Sequence, residues 1–250
     1  MSPAARYRAT VAYVGTDFHG WQVQKNASRT VQAVLSKALQ GLDREPVRIE
    51  GASRTDAGVH ADGQVIHFDL SRPLEPEVVR DAINHRLPED VRVLQVAAAS
   101  PDFHARRDAL WKEYAYRWSR AGVIAPRDAP FVAPISSGAS LVRMRAAALH
   151  LPGTRDFGVF AVKRVPGDWA TRTLHSVRVD EEGVELYALF RGEGFLRGMV
   201  RSMCGVLADA ARGRVPTERV AELLETGDRG LLCAKAPARG LTLVRVRYGE

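Results

Sequence analysis

The chain contains little cysteine, little lysine and no long apolar run. Its two cysteines, Cys204 and Cys233, are too few for a disulfide framework or a metal site built on thiolates. We expect both to be buried thiols in a cytoplasmic protein, because sparse cysteine is typical of a reducing compartment. No stretch approaches the roughly 18 apolar residues that a membrane span requires. No glycine-rich motif for a nucleotide cofactor is present either.

Arginine supplies almost all of the positive charge. Five of the 36 basic residues are lysines, and the net charge is +7 with an isoelectric point near 9.8. Such an excess favours a polyanionic partner, nucleic acid before an anionic membrane, because Lys and Arg that neutralise phosphates release condensed counterions. GC-rich coding would produce the same bias whatever the function, so charge alone does not decide the partner.

Residues 1–100 are predicted to form a strand, a helix, two strands, a helix and a strand. Alternating apolar residues at Tyr7, Ala9, Val11 and Tyr13 indicate the first strand, and a loop bounded by glycines follows it. The helix at 31–39 has Thr30 as its N-cap. The remaining predicted elements are a short strand marked by Val47 and Ile49, strands at 64–70 and 91–95, and a helix at about 77–87.

Residues 101–250 are predicted to have a similar order of strands and helices. Strands are predicted near 110–119, 175–180, 184–191 and 241–248, and helices near 140–150, 194–212 and 217–224. Two halves of similar order indicate a pseudo-symmetric α+β architecture, with residues 1–100 and 101–250 meeting near 96–105. A cleft between the halves would be the natural ligand site.

The segment 51–65 is the most informative part of the sequence. It lies between two predicted strands, and its glycines allow tight turns while Arg54, Asp56, His60 and Asp62 supply polar groups. On pattern alone, Asp56 could simply cap a turn or pair with Arg54 for stability. A second functional interpretation makes His60, Asp62 and His67 metal ligands for hydrolysis, although their spacing matches no standard metalloenzyme motif.

Residues 54–60 read Arg-Thr-Asp-Ala-Gly-Val-His, and with Gly-Gln-Val-Ile-His-Phe at 63–68 they resemble the signature loop of the tRNA pseudouridine synthase A family. The resemblance continues in family order over essentially the whole chain, at 20–22, 102–106, 114–116, 156–157 with Phe160, 172–173, and Phe195 with 199–201. It implies a pseudouridine synthase fold, α+β with largely antiparallel sheets in two halves around a central cleft.

The resemblance also implies the site residues. Asp56 corresponds to the family's catalytic aspartate, and Tyr114 to the residue that packs against the target base. Arg201 is implied to reach the cleft and pair with Asp56, which keeps that carboxylate ionised. We place Arg54 with Tyr114 and Arg201 among the substrate-binding residues. Arg197, four residues before Arg201 on the predicted helix, is a candidate phosphate contact or part of a solvated basic face.

Two neighbours of Tyr114 have more than one interpretation. Tyr116 and Trp118 share its strand face at a period of two, and either ring could belong to the core instead of the site. The core interpretation is favoured for Trp118 and evenly balanced for Tyr116.

The expected substrate is the tRNA anticodon arm, at tRNA positions 38 to 40, and the expected assembly is a homodimer. No cofactor and no metal is expected, because the isomerisation involves neither redox change nor net hydrolysis. Three departures from the family pattern stand out: Val14 where Asp is usual, Ser53 where Gly is common, and the stretch 163–170, which is the least family-like part of the chain. The rival functions are an RNA-binding module without activity and a metal-dependent hydrolase.

Overall fold

The computed structural model describes residues 5–24, 29–43, 46–163 and 167–249. Within these ranges the chain forms ten β-strands and five α-helices. The strands are β1 (Ala5–Tyr13), β2 (Glu50–Gly51), β3 (His60–Leu70), β4 (Val91–Ala98), β5 (Ala109–Ser119), β6 (Ala133–Pro134), β7 (Gly153–Asp156), β8 (Thr171–Glu182), β9 (Glu185–Gly192) and β10 (Leu241–Tyr248). The helices are α1 (Val31–Leu39), α2 (Pro76–Asn84), α3 (Leu141–Ala148), α4 (Met199–Ala211) and α5 (Arg219–Thr226).

The chain divides into two compact units. The first comprises the chain up to Leu110 together with the chain from Leu243 onward, and the second runs from Trp111 to Thr242. The sequence pattern assigns the last strand to the second half, whereas most of β10 belongs to the first unit because it lies beside β3 in the sheet.

The sheet of the first unit has the strand order β4-β1-β3-β10, with β2 added to β3. The strand β1 is antiparallel to both β3 and β4. Its alternating residues Tyr7, Ala9, Val11 and Tyr13 are all buried, as the period of two predicts. A bulge in β3 interrupts the register between Val11 and Tyr13 of β1.

The helix α1 has the bounds that the sequence predicts. The Oγ1 atom of Thr30 accepts the Ala33 N–H at 3.3 Å and so caps the first turn. The buried side of α1 consists of Val31, Leu35, Ala38 and Leu39. The second helix, α2, packs against β4 and ends at Asn84, three residues before the predicted end.

The sheet of the second unit has the strand order β5-β9-β8-β7. These pairings are antiparallel, and only the two-residue strand β6 pairs in parallel with β5. The helix α3 packs against α4 and β8. The α+β class and the largely antiparallel pairing are confirmed, while β6 and β7 were not predicted.

The short strand predicted from Val47 and Ile49, leading into Gly51, is present but displaced to Glu50–Gly51. Val47 and Ile49 are buried, at 7% and 3% exposure, but strand pairing begins only at Glu50. The Ile49 carbonyl instead accepts a hydrogen bond from the side chain of Gln32 at 2.9 Å. The apolar alternation of Val47 and Ile49 therefore reflects burial without strand pairing.

The predicted start of the fourth helix is wrong. The helix α4 begins at Met199 and not near residue 194, because Gly198 has a left-handed φ of 74° that interrupts the helical path. Arg197 therefore precedes the helix, and it does not share one helical face with Arg201 at a spacing of four residues.

The two thiols differ in burial. Cys204 on α4 is fully buried, as expected, whereas Cys233 is only half-buried. Burial raises the pKa of both thiols, so they stay protonated and unreactive near neutral pH. None of the helices in the described part of the chain is both long enough and apolar enough to span a membrane.

Candidate active site

The loop between β2 and β3 carries Asp56, and its first part is clamped by Gln64. The Ala52 N–H donates to the Val65 carbonyl at 2.8 Å. The fully buried Gln64 side chain then donates to the Ser53 carbonyl at 2.8 Å and accepts the Ser53 N–H at 3.1 Å. A side-chain amide offers the same donor and acceptor as a peptide group, so Gln64 extends the strand pairing to Ser53.

The middle of the loop is held by the chain from Tyr13 to Trp21. The Trp21 N–H donates to the Thr55 carbonyl at 3.1 Å, and the Tyr13 hydroxyl lies 2.8 Å from Thr55 Oγ1 in a buried hydrogen bond. Gly20 has a φ of 92°, and a Cβ there would lie 2.9 Å from the Thr55 carbonyl oxygen. Only glycine allows the two segments to approach this closely.

A turn at Gly58 ends the loop. The Val59 N–H donates to the Asp56 carbonyl at 3.2 Å, and Gly58 has a φ of 78°. Thr55 is 8% exposed, Asp56 is half-buried and Arg54 is exposed. The loop therefore keeps Thr55 inside the unit and presents the side chains of Arg54 and Asp56 where a ligand can reach them.

The glycine-bounded loop after β1 supports the Asp56 loop, a role that sequence reasoning missed. The Gly15 N–H donates to His60 Nδ1 at 3.0 Å, and the Gly58 N–H donates to the Phe18 carbonyl at 3.2 Å. A Cβ on Gly15 would lie 2.0 Å from the Val59 carbonyl oxygen. The two bounding glycines were the available signal, because glycine permits close backbone approach.

In the second unit, β5 positions Tyr114. The residue is 6% exposed, and its ring lies at a near-perpendicular angle to that of Phe195 with centroids 5.0 Å apart. Aromatic rings prefer this geometry, so Phe195 restrains the orientation of the Tyr114 ring. Lys112 lies on the same face of β5 and is 7% exposed. A buried cation is costly unless compensated, and sequence reasoning did not single this lysine out.

Tyr116 and Trp118 are core residues. They are 0% and 1% exposed, and their ring centroids are 4.4 Å apart. The Tyr116 hydroxyl donates to the Pro237 carbonyl at 2.7 Å. Burial raises the pKa of Tyr116 far above its usual value, so the hydroxyl remains a donor. The core interpretation of both rings is thus confirmed.

The segment 234–237 orients Arg201. The Arg201 Nε donates to the Ala236 carbonyl at 2.9 Å, and the Ala236 N–H donates to the Arg201 carbonyl at 3.0 Å. Gly205 lets this segment lie directly on α4, since a Cβ there would be 2.1 Å from the Ala234 carbonyl oxygen. The guanidinium of Arg201 is therefore held on one side by the backbone of its own unit. No local sequence signal predicted the Ala236 contact.

The histidines of the metal hypothesis have other partners. His60 Nδ1 accepts the Gly15 N–H, as described above, and His67 Nδ1 accepts the Ala105 N–H at 3.2 Å. Among the residues that the structure describes, no group of three or more His, Cys, Asp or Glu side chains is placed to hold an ion. One ring nitrogen of each histidine thus accepts a hydrogen bond from the backbone.

Comparison with known proteins adds the family. The sequence profile of a family described as tRNA pseudouridine synthase matches residues 9–108 and 147–249. A protein of Exiguobacterium sibiricum named tRNA pseudouridine synthase A is 40% identical over 245 residues, covering 98% of this chain and 97% of the relative. A protein of Listeria welshimeri with the same name is 41% identical over 246 residues, covering 97% and 99%.

The chain thus belongs to the tRNA pseudouridine synthase A family. Members of this family are isomerases, and the Arg-Thr-Asp loop described above lies inside the first matched region. The resemblance identified from the sequence is confirmed.

Replacing Gly20 tests the support of the Asp56 loop. We expect Gly20→Ala to lower the free energy of unfolding by roughly 1–2 kcal/mol or more, because a left-handed φ is costly for alanine and the added Cβ meets the Thr55 carbonyl. Urea unfolding measures the change. Gly122→Ala is the control, since no atom lies within 4 Å of its added Cβ. Equal losses in the two variants would contradict this account of the loop.

His67 predicts a pH dependence of stability. Burial, and then the neighbouring His104 and Arg6, lower the pKa of His67. Around and below the ordinary histidine pKa, the unfolded chain therefore binds more protons than the folded chain. The free energy of unfolding decreases as the pH decreases. We expect the free energy of unfolding, measured at a series of pH values, to decrease from about pH 7.5 to about pH 5.5. The loss should shrink in His67→Asn, which can still accept the Ala105 N–H.

The exposed His175 supplies the control for this measurement. The variant His175→Asn should keep the wild-type dependence of stability on pH. If His67→Asn and the wild type lose stability equally on acidification, other groups carry the effect.

Proposed function

We propose that this chain isomerises uridine to pseudouridine in the anticodon stem-loop of transfer RNA, at tRNA positions 38, 39 and 40. Membership of the family supports a tRNA uridine as the substrate, and the resemblance of the sequence to the family supplies the stem-loop and its positions. The observation that carries the proposal is the Arg-Thr-Asp loop, whose backbone is bonded on both sides of Asp56 while the carboxylate stays accessible.

Asp56 is proposed as the catalytic carboxylate. The reaction breaks the bond between N1 of uracil and C1′ of the ribose, turns the base, and joins C5 to C1′. The proton on C5 is then lost, and N1 gains one. A carboxylate beside the sugar can assist either as a nucleophile at C1′ or as a base that removes a sugar proton. Both roles require a carboxylate held in place, which the hydrogen bonds of the loop provide.

Tyr114 is proposed to pack against the target uracil. A base that leaves its helical stack loses its neighbours and gains from a flat partner. The Tyr114 ring is suited to this role because the edge-to-face contact with Phe195 restrains it before substrate arrives.

Two arginines are proposed to support the reaction, Arg201 by binding Asp56 and Arg54 by binding the substrate. Arg201 would pair with Asp56 and hold the carboxylate in place, since a guanidinium and a carboxylate form charge-assisted hydrogen bonds. The bond from Arg201 Nε to the Ala236 carbonyl supports this role, because it fixes the direction of the guanidinium. The exposed Arg54 would contact the substrate backbone.

The expected assembly is a homodimer acting in the cytoplasm on tRNA. In this proposal one subunit's basic surface holds the tRNA body while the other subunit's site takes the flipped base. The net charge of +7 supports binding of a polyanion of this size.

Replacement of Asp56 separates catalysis from binding. We expect Asp56→Asn to abolish turnover and to leave tRNA affinity nearly unchanged, because the amide keeps the size of the carboxylate but cannot act as nucleophile or base. Release of label from C5 of uridine in an unmodified tRNA transcript measures turnover, and filter binding measures affinity.

Asp62→Asn is the control for Asp56, since Asp62 is an exposed carboxylate in the following strand. It should keep activity, and wild-type activity should persist with a chelator present. Cleavage of the tRNA without label release, abolished by a chelator or by Asp62→Asn, would instead favour the metal-dependent hydrolase. Tight binding without label release by the wild type would favour the inactive RNA-binding module.

The role of Arg201 is tested by comparing two substitutions. Arg201→Ala should lower turnover more than tRNA affinity, because the lost charge acts on Asp56. Arg201→Lys should recover little of that turnover, since one ammonium cannot replace a fork that bonds both Ala236 and a carboxylate. Single-turnover kinetics and binding on the same tRNA measure the two effects. A larger loss of affinity than of turnover would make Arg201 a phosphate contact.

A further inference from the structure

Trp169 is the exposed aromatic residue of the second unit. Its exposure is 78%, whereas Trp21 and Trp118 are each 1% exposed and Trp111 lies under the Arg191 guanidinium at 4.4 Å. Among the exposed large hydrophobic side chains of the described residues, Trp169 is the only aromatic one. An exposed indole keeps a large flat apolar face available to a ligand.

The backbone around Trp169 is anchored. Trp169 belongs to the 3-10 turn Gly167–Ala170, and the next residue, Ala170, is fully buried. The Ala170 carbonyl accepts the Phe157 N–H at 3.1 Å. Arg172 donates to the Trp169 carbonyl at 3.0 Å and to the Thr171 carbonyl at 2.6 Å. The indole is thus presented from a turn that is bonded to the sheet on one side.

Two arginines face each other on the strands that flank this turn. Arg155 of β7 lies directly opposite Arg172 of β8 in the antiparallel register. Like charges in such a pair are unfavourable unless an anion lies between or beside them. Lys163 and Arg197 are also exposed, and the Arg197 carbonyl accepts the Val162 N–H at 2.9 Å, which joins this basic surface to the start of α4. Three acids, Asp156, Asp168 and Glu193, are exposed in the same segments, against three exposed cations and the half-buried Arg172.

We propose that Trp169 stacks on an unpaired base of the tRNA substrate while Arg155 and Arg172 hold the phosphates beside that base. Aromatic rings interleaved with cations are the usual platform for single-stranded nucleic acid, since every base has a face that can stack. The opposed pair Arg155 and Arg172 favours an anionic ligand over an apolar protein surface. The proposal rests on the tRNA substrate proposed above, and it adds a binding contact at Trp169; residues 164–166 lie outside the described residues and form no part of the site.

Substitution of Trp169 is the first test. We expect Trp169→Ala to raise KM and Kd for an unmodified tRNA roughly tenfold with kcat changed less than about twofold, because stacking on one base contributes affinity and not chemistry. Trp169→Phe should recover most of the affinity, since a phenyl ring still stacks. Val142→Ala is the matched control, as Val142 is 75% exposed in the same unit, and it should leave both constants unchanged.

The unchanged chain supplies the second test, which does not depend on a variant folding. Acrylamide quenches the fluorescence of exposed indoles, and the difference in quenching between the wild type and Trp169→Phe reports on Trp169. We expect tRNA binding to reduce this difference. Unchanged KM and Kd in Trp169→Ala, or full quenching of Trp169 in the tRNA complex, would overturn the proposal. Protection that increases with protein concentration in the absence of RNA would overturn it in favour of self-association.

Failure of the proposed function gives a different result. In that case the wild-type chain releases no label from any tRNA, whatever residue occupies position 169. Wild-type release of label combined with unaltered binding by Trp169→Ala would leave the enzyme assignment intact and remove only the stacking role.

Discussion

Two hydrogen bonds to Thr55 control where Asp56 lies. A carboxylate on a loop is only as well placed as the backbone that carries it, and the bonds from Trp21 to the Thr55 carbonyl and from Tyr13 to its hydroxyl hold the adjacent residue. Gln64 adds the clamp at Ser53. Because these partners come from β1, β3 and the loop after β1, the geometry of the candidate site is a property of the whole first unit.

In the second unit, hydrogen bonds to the backbone orient the Arg201 side chain. Arg201 is oriented by a reciprocal pair of hydrogen bonds with Ala236, and the segment that carries Ala236 is itself held by the Tyr116 hydroxyl at Pro237. A charged side chain with a fixed direction loses less conformational entropy when it binds a partner. The buried phenol of Tyr116 therefore supports the site from the core, although it lies outside the group of residues expected to touch the substrate.

The fold was predictable where one local pattern had one explanation. The helix α1 and the strands β1 and β10 lie where periodicity and the Thr30 cap predict them. The failures share a cause, because a pattern of burial can arise without the element that usually produces it. Val47 and Ile49 alternate like a strand but pack as irregular chain, and the apolar period of α4 continues backward past a glycine whose left-handed φ ends the helix.

By itself the sequence determined the class of fold, the family and the loop that carries Asp56, because these depend on local spacing and on a contiguous motif. Only the tertiary structure decided which polar side chains serve the backbone and which face a ligand. His60 and His67 were candidates for a functional role in the sequence, yet each accepts a hydrogen bond from a backbone group distant in the chain, and the Gln64 side chain is bonded to Ser53 in the same way. The physical reason is that a buried polar atom must find a hydrogen-bond partner, and only the folded chain supplies one.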